Sequence, residues 1–342
     1  MSPLDWFKKQ KPLQSMQSMG GGAVGGVMAG GVSEGGPYSI SGGTITTPGN
    51  GYKYFDIKNT NPAPERQLAI TVDGAPGYIT FSFVAVGGGG AGGQGAPEFG
   101  SGGGGAGAFV QLMDYTDIIL DGPDTWPVSI GEGGLANGRT GPQGRPANPN
   151  PGGPYGGNDT TITIPSPKSP LTITAYGGAG GLLTPSNSPA TTEPGNYGSG
   201  GGAPHGSPSN PQTALNGIVQ PAGVPQTIDP DGNTPLNGIG YDGGQGQRTG
   251  QYNGPANSGA GGGGGGGGQG DGGPYYTGGP GGPGGGGGGA GAQNPAQQGS
   301  HGSDHKGAGG GGGGGLYSVN QSYSGAGGPG RVIFRVPVSI IT

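Results

Sequence analysis

Ile79-Thr80-Phe81-Ser82-Phe83-Val84-Ala85-Val86 runs without a break into Gly87-Gly88-Gly89-Gly90-Ala91-Gly92-Gly93. In the first half apolar residues tend to alternate with polar or small ones, the period-two pattern of a half-buried β-strand. The second half has almost no side chain with which to pack a core. The junction recurs where Leu171-Thr172-Ile173-Thr174-Ala175-Tyr176 meets Gly177-Gly178-Ala179-Gly180-Gly181. It is mirrored where Gly325-Ala326-Gly327-Gly328-Pro329-Gly330 leads into Arg331-Val332-Ile333-Phe334-Arg335-Val336. Something other than side-chain packing has to order these glycines.

Glycine supplies 96 of the 342 residues and proline 35, beyond the ~25–30% combined share typical of low-complexity chains. Yet the formal charge is only −5 and charged residues are 9%, so the self-repulsion that accompanies disorder is missing. A chain of this kind is free to associate with copies of itself. Polyglycine loses more backbone entropy on ordering than any other sequence, and it orders only where its bare N–H and C=O groups find partners. A bundle of extended left-handed threefold helices, hydrogen-bonded laterally, provides them, by the close-packing logic that puts glycine at the collagen axis. Collagen itself is excluded, because runs such as Gly261 to Gly268 break the Gly-X-Y period. The other reading of the same composition is a flexible linker.

The chain has no cysteine, which excludes disulfides and leaves the redox compartment open. Lys8, Lys9 and Lys11 are followed by no apolar stretch, so no signal peptide is expected. No run approaches the ~18 apolar residues of a membrane-spanning helix, and no basic stripe offers itself to nucleic acid.

Residues 1–19 differ from all that follows. Trp6 and Phe7 sit beside Lys8, Lys9 and Lys11, and an aromatic, basic peptide of this kind suits docking to another protein; a frayed terminus is the plainer alternative. Residues 20–36 form a glycine-rich spacer and residues 37–342 the body. Within the body, 37–176 is strand-rich, 177–330 alternates glycine arrays with Pro, Asn, Gln, Ser and Tyr loops, and 331–342 is a closing strand. Gly42-Gly43 reads as a hairpin turn between Ser39-Ile40 and Thr44-Ile45-Thr46. Pro337 marks the closing strand as an edge strand or a bend. No segment sustains a helical period. The expected fold is all-β, with almost no α-helix: a short-strand sandwich or jelly-roll-like body carrying a layer of polyglycine-II-type helices.

Few residues offer chemistry. Gly-x-Gly-x-x-Gly matches arise by chance here, and no phosphate-binding Gly-x-x-x-x-Gly-Lys-Ser/Thr loop is present. His301, Asp304 and His305 are the densest set of potential metal ligands, though a polar loop tip explains them as well. Asp114, Asp117, Asp121 and Asp124 surround Ile118-Ile119-Leu120; two of them could serve as a glycoside-cleaving pair, but aspartate is also a favoured turn residue. No Ser-His-Asp arrangement stands out. The pattern argues against an enzyme and calls for no cofactor. Tyr241, Tyr252, Tyr275, Tyr276, Tyr317 and Tyr323 remain as binding candidates. Each offers a large amphipathic face at low entropic cost, among Asn, Gln and Ser able to hydrogen-bond sugars. Packing along the glycine bundle or across a subunit interface is their other reading.

The units Phe83-Val84-Ala85-Val86-Gly87-Gly88-Gly89-Gly90, Gly102-Gly103-Gly104-Gly105-Ala106-Gly107-Ala108-Phe109-Val110 and Val128-Ser129-Ile130-Gly131-Glu132-Gly133-Gly134, in that order, resemble the glycine-rich structural proteins of tailed bacteriophages. The beginning at Gly42-Gly43-Thr44-Ile45-Thr46 and the ending at Gly328-Pro329-Gly330-Arg331-Val332-Ile333-Phe334-Arg335 are similar to the two ends of that repeat domain. The resemblance covers roughly residues 41–336 and excludes residues 1–19. It implies a component of the virion surface, a tail fibre or adhesin, or else a head-fibre or capsid-decoration protein with an assembly role. It further implies a homo-oligomer, most simply a trimer. Residues 1–19 would dock on another virion protein, and the loops would meet a host-surface glycan or outer-membrane protein. A glycan-cleaving enzyme is the remaining alternative.

Overall fold

The computed structural model describes residues 35–61, 66–93, 102–115, 118–135, 156–165, 171–181, 269–270, 298–304, 307, 309–312, 315–316 and 323–342. All fall within the unit Glu34–Thr342. Residues 1–19, expected to dock on another protein, and nearly all of the expected spacer lie outside the described residues. The spacer gives way earlier than its composition suggests, since Gly36 already belongs to the first strand.

Two antiparallel five-stranded sheets face each other. The first has the order β1 (Gly36–Ser41), β4 (Gln67–Ala75), β9 (Asp124–Ser129), β10 (Thr160–Ile164), β11 (Leu171–Ala175). The second has the order β2 (Thr44–Thr46), β3 (Tyr52–Lys58), β14 (Arg331–Pro337), β6 (Phe81–Val86), β7 (Phe109–Tyr115). Two-residue pairs join β5 (Gly77–Tyr78) to β8 (Ile119–Leu120) and, in parallel, β12 (Gln269–Gly270) to β13 (Gly315–Leu316). No α-helix occurs among the described residues. The sheet pleat sends alternate side chains inward, so Ile40, Leu68, Ile70, Trp126, Val128, Ile162 and Ile164 meet Phe55, Ile57, Phe81, Phe83, Val332 and Phe334 in one core. Trp126 locks the two sheets together, with its ring centroid 5.0 Å from Phe81 and 6.1 Å from Phe334.

One sequence expectation is corrected here, and of the two readings of Pro337, an edge strand or a bend, the second holds. Gly42-Gly43 does not turn a hairpin: β1 and β2 lie in different sheets, and the glycines carry the chain between them at φ +128° and +59°. A Cβ on Gly42 would run into the Gln67 carbonyl. Nor is the closing strand at an edge. β14 sits between β3 and β6 at the centre of the second sheet, and Pro337 ends it in a bend into a 3₁₀ turn, Val338–Ile340. A terminal proline leaves the ladder before its missing N–H matters.

The glycine stretches continue the strands. Segment I (87–93) extends β6, III (131–135) follows β9 and V (176–181) extends β11; II (102–108) feeds β7, IV (156–159) feeds β10 and VIII (323–330) feeds β14. Segments VI (298–303) and VII (307 and 309–312) complete the array. Segment I lies in the middle. Gly87, Gly90 and Gly93 donate to Ala108, Gly105 and Gly102 of II at 2.9, 2.8 and 2.9 Å. Gly89 and Gly92 donate to Gly328 and Gly325 of VIII, both at 2.9 Å, and Gly88 donates to Asn158 of IV. Its carbonyls accept from Gly178 and Gly181 of V, from Gly134 of III and from Gly310 of VII.

Each neighbour met more than once is thus met at every third residue. The surrounding segments close a ring in the order II, V, IV, III, VIII, VII and back to II, through bonds such as Ala108 to Tyr176, Gly157 to Gly178, Asn158 to Glu132, Gly327 to Gly134, Gly325 to Gly311 and Gly104 to Gly310. Segment VI lies outside the ring against VII and VIII. Peptide groups make nearly all of these contacts, and at Gly90 there is no room for a side chain, since a Cβ would overlap the Ala179 carbonyl. The expected split into a strand-rich part and a later glycine part is therefore not spatial. Glycine segments from 87 to 181 and from 298 to 330 share one array.

Candidate functional site

The bonding registers fix the direction of every segment. I, III and V leave the sheets, and II, IV and VIII return to them. Segment VI runs parallel to VIII, through Gly299 to Tyr323 and Gly302 to Ala326. Segment VII runs antiparallel to II, through Gly107 to Gly307 and Gly104 to Gly310. The turn from VI to VII is therefore at the sheet end, where Gly307 takes φ +60°. It follows that the described segments end at Gly93, Leu135, Gly181 and Gly312, and begin at Gly102, Gly156, Gln298 and Tyr323, at one and the same end of the array.

The opposite end gathers the chain's other landmarks. β1 begins there, with the Gly35 N–H bonded to the Tyr78 carbonyl at 3.1 Å. Thr342 closes beside it, its N–H donating to the Tyr38 carbonyl at 2.9 Å, while Ile341 bridges to Tyr38 in parallel. The Thr342 hydroxyl donates to Asp73 at 2.9 Å, and Ser39 donates to the same carboxylate. These two hydrogen bonds hold the Asp73 carboxyl below the usual carboxylate range. Gly35 and Thr342 thus lie together, with the sandwich and then the glycine array between them and the end at which the described segments stop.

Of the binding candidates, Tyr323 opens segment VIII at the end of the array remote from the sheets and accepts the Gly299 N–H through its carbonyl at 3.0 Å. Tyr241, Tyr252, Tyr275, Tyr276 and Tyr317 lie outside the described residues. Trp6, Phe7, Lys8, Lys9 and Lys11 also lie outside the described residues.

His301 and Asp304 are described and His305 is not. His301 serves the array itself, since its Nδ1 accepts the Ala326 N–H at 2.9 Å and stands in for a backbone carbonyl. Among the described residues no group of three or more ligating side chains is placed to hold a metal, and no helix is long and apolar enough to cross a membrane. The aspartates are separated by their local duties. Asp124 accepts from the Thr125 amide and the Trp126 indole at 2.8 and 2.9 Å. Asp114 occupies a bulge at φ 47°, where its N–H donates to Ser82 Oγ at 2.9 Å. Asp117 lies outside the described residues.

Sequence reasoning missed that the glycine segments share one end, opposite Gly35 and Thr342. The signal was present in the alternation of strand-to-glycine and glycine-to-strand junctions, which forces successive segments to run out and back. An all-β body whose strands continue into a glycine array places the protein in a glycine-rich structural class. The chain belongs to the glycine-rich domain family whose model matches residues 65–337. No curated protein sequence matches it.

Proposed function

We propose that this chain is a non-enzymatic surface component of a bacteriophage virion, a fibre or adhesin held at one end and presenting loops at the other. The observation that supports it most directly is the polarity of the body: the chain enters at Gly35, and all four pairs of segments open at the far end. Residues 1–19 are the anchor in this reading, with Trp6 and Phe7 buried against a partner virion protein and Lys8, Lys9 and Lys11 at its rim. The tyrosine- and amide-rich stretches 182–297 and 313–322 meet a glycan or protein of the host surface.

The glycine array is, in the same reading, a bundle of extended threefold helices of the polyglycine II kind. The three-residue recurrence of partners supports it, since a helix with three residues per turn returns each N–H to the same azimuth every third residue. The body assembles as a trimer, which sedimentation of the purified chain tests.

The decisive experiment images particles carrying a tag fused at Thr342 and repeats the imaging with residues 1–19 deleted. Tag density on the tail, lost on deletion, is the expected result. Density on the capsid would move the assignment to a decoration protein. Particles without the tag would overturn the reading.

A further inference from the structure

Segment VII meets four other members of the array. Gly310 donates to segment I and accepts from Gly104 of II, while Gly311 donates to Ser300 of VI and accepts from Gly325 of VIII. Its remaining flank turns from VI toward II. Because partners recur at every third residue, the amides of Gly309 and Gly312 address neither I nor VI and face this flank, and both residues are buried. Segment II sits on the outside of the ring, yet it is buried throughout from Gly102 to Ala108. Gly133 of III and Gly157 of IV, which also belong to the ring, are only half-buried. The groove between II and VII is therefore covered, and buried peptide groups there require hydrogen-bond partners.

β12 and β13 pair in parallel, with Gln269 opposite Gly315 and Gly270 opposite Leu316. β13 follows segment VII after two residues, and β12 follows directly on the eight glycines Gly261 to Gly268. Carried back along both chains, this register sets Gly261 to Gly268 opposite residues 307 to 314, the stretch that holds VII. A run without side chains is also what such a groove admits. At Gly104 of II a Cβ would overlap the Gly90 carbonyl, so the spacing between neighbours leaves room for backbone alone.

We propose that Gly261 to Gly268 dock in the groove between segments II and VII as a ninth member of the array, parallel to VII. The run then starts beside the sheets and finishes at the end remote from them. Segment V stops at Gly181 at that remote end, so the chain between has to travel the length of the array before it reaches Gly261. This separates the tyrosine candidates. Tyr241 and Tyr252 belong to the travelling stretch, whereas Tyr275 and Tyr276 fall between Gly270 and Gln298, two points held at the remote end. The proposal does not depend on where the protein resides.

The test introduces cysteine pairs into the full chain, which has none of its own, and treats the folded protein with a short thiol cross-linker. The register sets residue 260 beside residue 306, so Ala260→Cys with Lys306→Cys should be joined within one chain. Ala260→Cys with Gln298→Cys, set at opposite ends of the array, should not. Equal capture of the two pairs, or preferential joining of 260 to 298, would overturn the proposal. A link between chains would assign the groove to a second copy and overturn it too. A second measurement follows hydrogen exchange over residues 102–108 and 307–312 by mass spectrometry. Gly264→Val should speed it by about tenfold or more, because a side chain forced into close packing weakens the contact. Gly287→Val, in the separate run Gly284 to Gly289, should leave it unchanged. No effect of Gly264→Val, or the reverse pattern, which would seat the other run in the groove, counts against the proposal.

Discussion

Arg331 and Asp56 meet diagonally across adjacent strands of the second sheet, two residues out of register, joined by two hydrogen bonds of 2.7 and 2.8 Å. Both are almost fully buried, and Lys58 reaches the same carboxylate at 2.9 Å. The pair ties the last strand to one near the start of the body. Replacing Arg331 with Leu leaves the carboxylate buried beside a half-exposed lysine, and the expected loss is about 3–5 kcal/mol of stability by urea titration. The neighbouring pair, Arg335 with the exposed Asp114 at 3.9 Å, is its control. Asp114→Asn keeps a side chain that tolerates positive φ and should change stability by less than about 1 kcal/mol.

Gly90 and Gly122 should respond oppositely to alanine. A Cβ at Gly90 overlaps a carbonyl of segment V, whereas nothing lies within 4 Å of one at Gly122. Gly90→Ala forces apart segments that only backbone contacts hold together, and about 3 kcal/mol, the upper end of the overpacking range, is expected. Gly122→Ala should fall within about 0.5 kcal/mol of the parent. Paired denaturation curves decide both.

The contact between Asp73, Ser39 and Thr342 should loosen in acid. Because hydrogen bonds lower the folded-state pKa of Asp73, its contribution is present above the unfolded value of ~3.9 and is lost as pH falls through the folded value. The amide of Thr342 should therefore exchange faster in that acid window, relative to its intrinsic rate. Asp73→Asn should remove the pH dependence. Amide exchange followed by NMR provides the measurement.

Gly35 and Thr342 should accept a covalent link. Both lie at the sheet end remote from the loops, where Thr342 bonds to Tyr38. A permutant that joins 342 to 35 through a short glycine linker and opens the chain after Asn320 should keep the parent's melting profile. A drop to a molten, dye-binding state would show that the two termini are not neighbours in solution.

Much of the fold was legible where side chains carry the code. Alternation at Phe81, Phe83 and Ala85 marked β6, and Leu171-Thr172-Ile173-Thr174-Ala175 marked β11. Pairing between glycine segments was not legible, because Gly90 and Gly105 present identical backbones to every possible neighbour. Their register is inherited from the strands that feed them. Strand order was hidden for a related reason: Val332, Ile333 and Phe334 announce burial on both faces, but only the whole assembly shows β14 between β3 and β6. Tyr323 was found as a candidate among the tyrosines that interrupt the glycine arrays, by its large amphipathic face. The use of His301 as a stand-in acceptor left no trace in the sequence.

The shared end at which the segments open has a consequence for inheritance. The ends that meet there are separated in sequence by as little as residues 94–101 and by as much as residues 182–297, and doubling the length of a closure between two fixed ends costs only about 0.6 kcal/mol. What holds those ends is mostly peptide groups, which are the same in every sequence, helped by a few side chains such as His301 and Asp159. Mutation can therefore rewrite the sequence between the ends, lengthen it or exchange it wholesale, while the platform that fixes them is passed on unaltered.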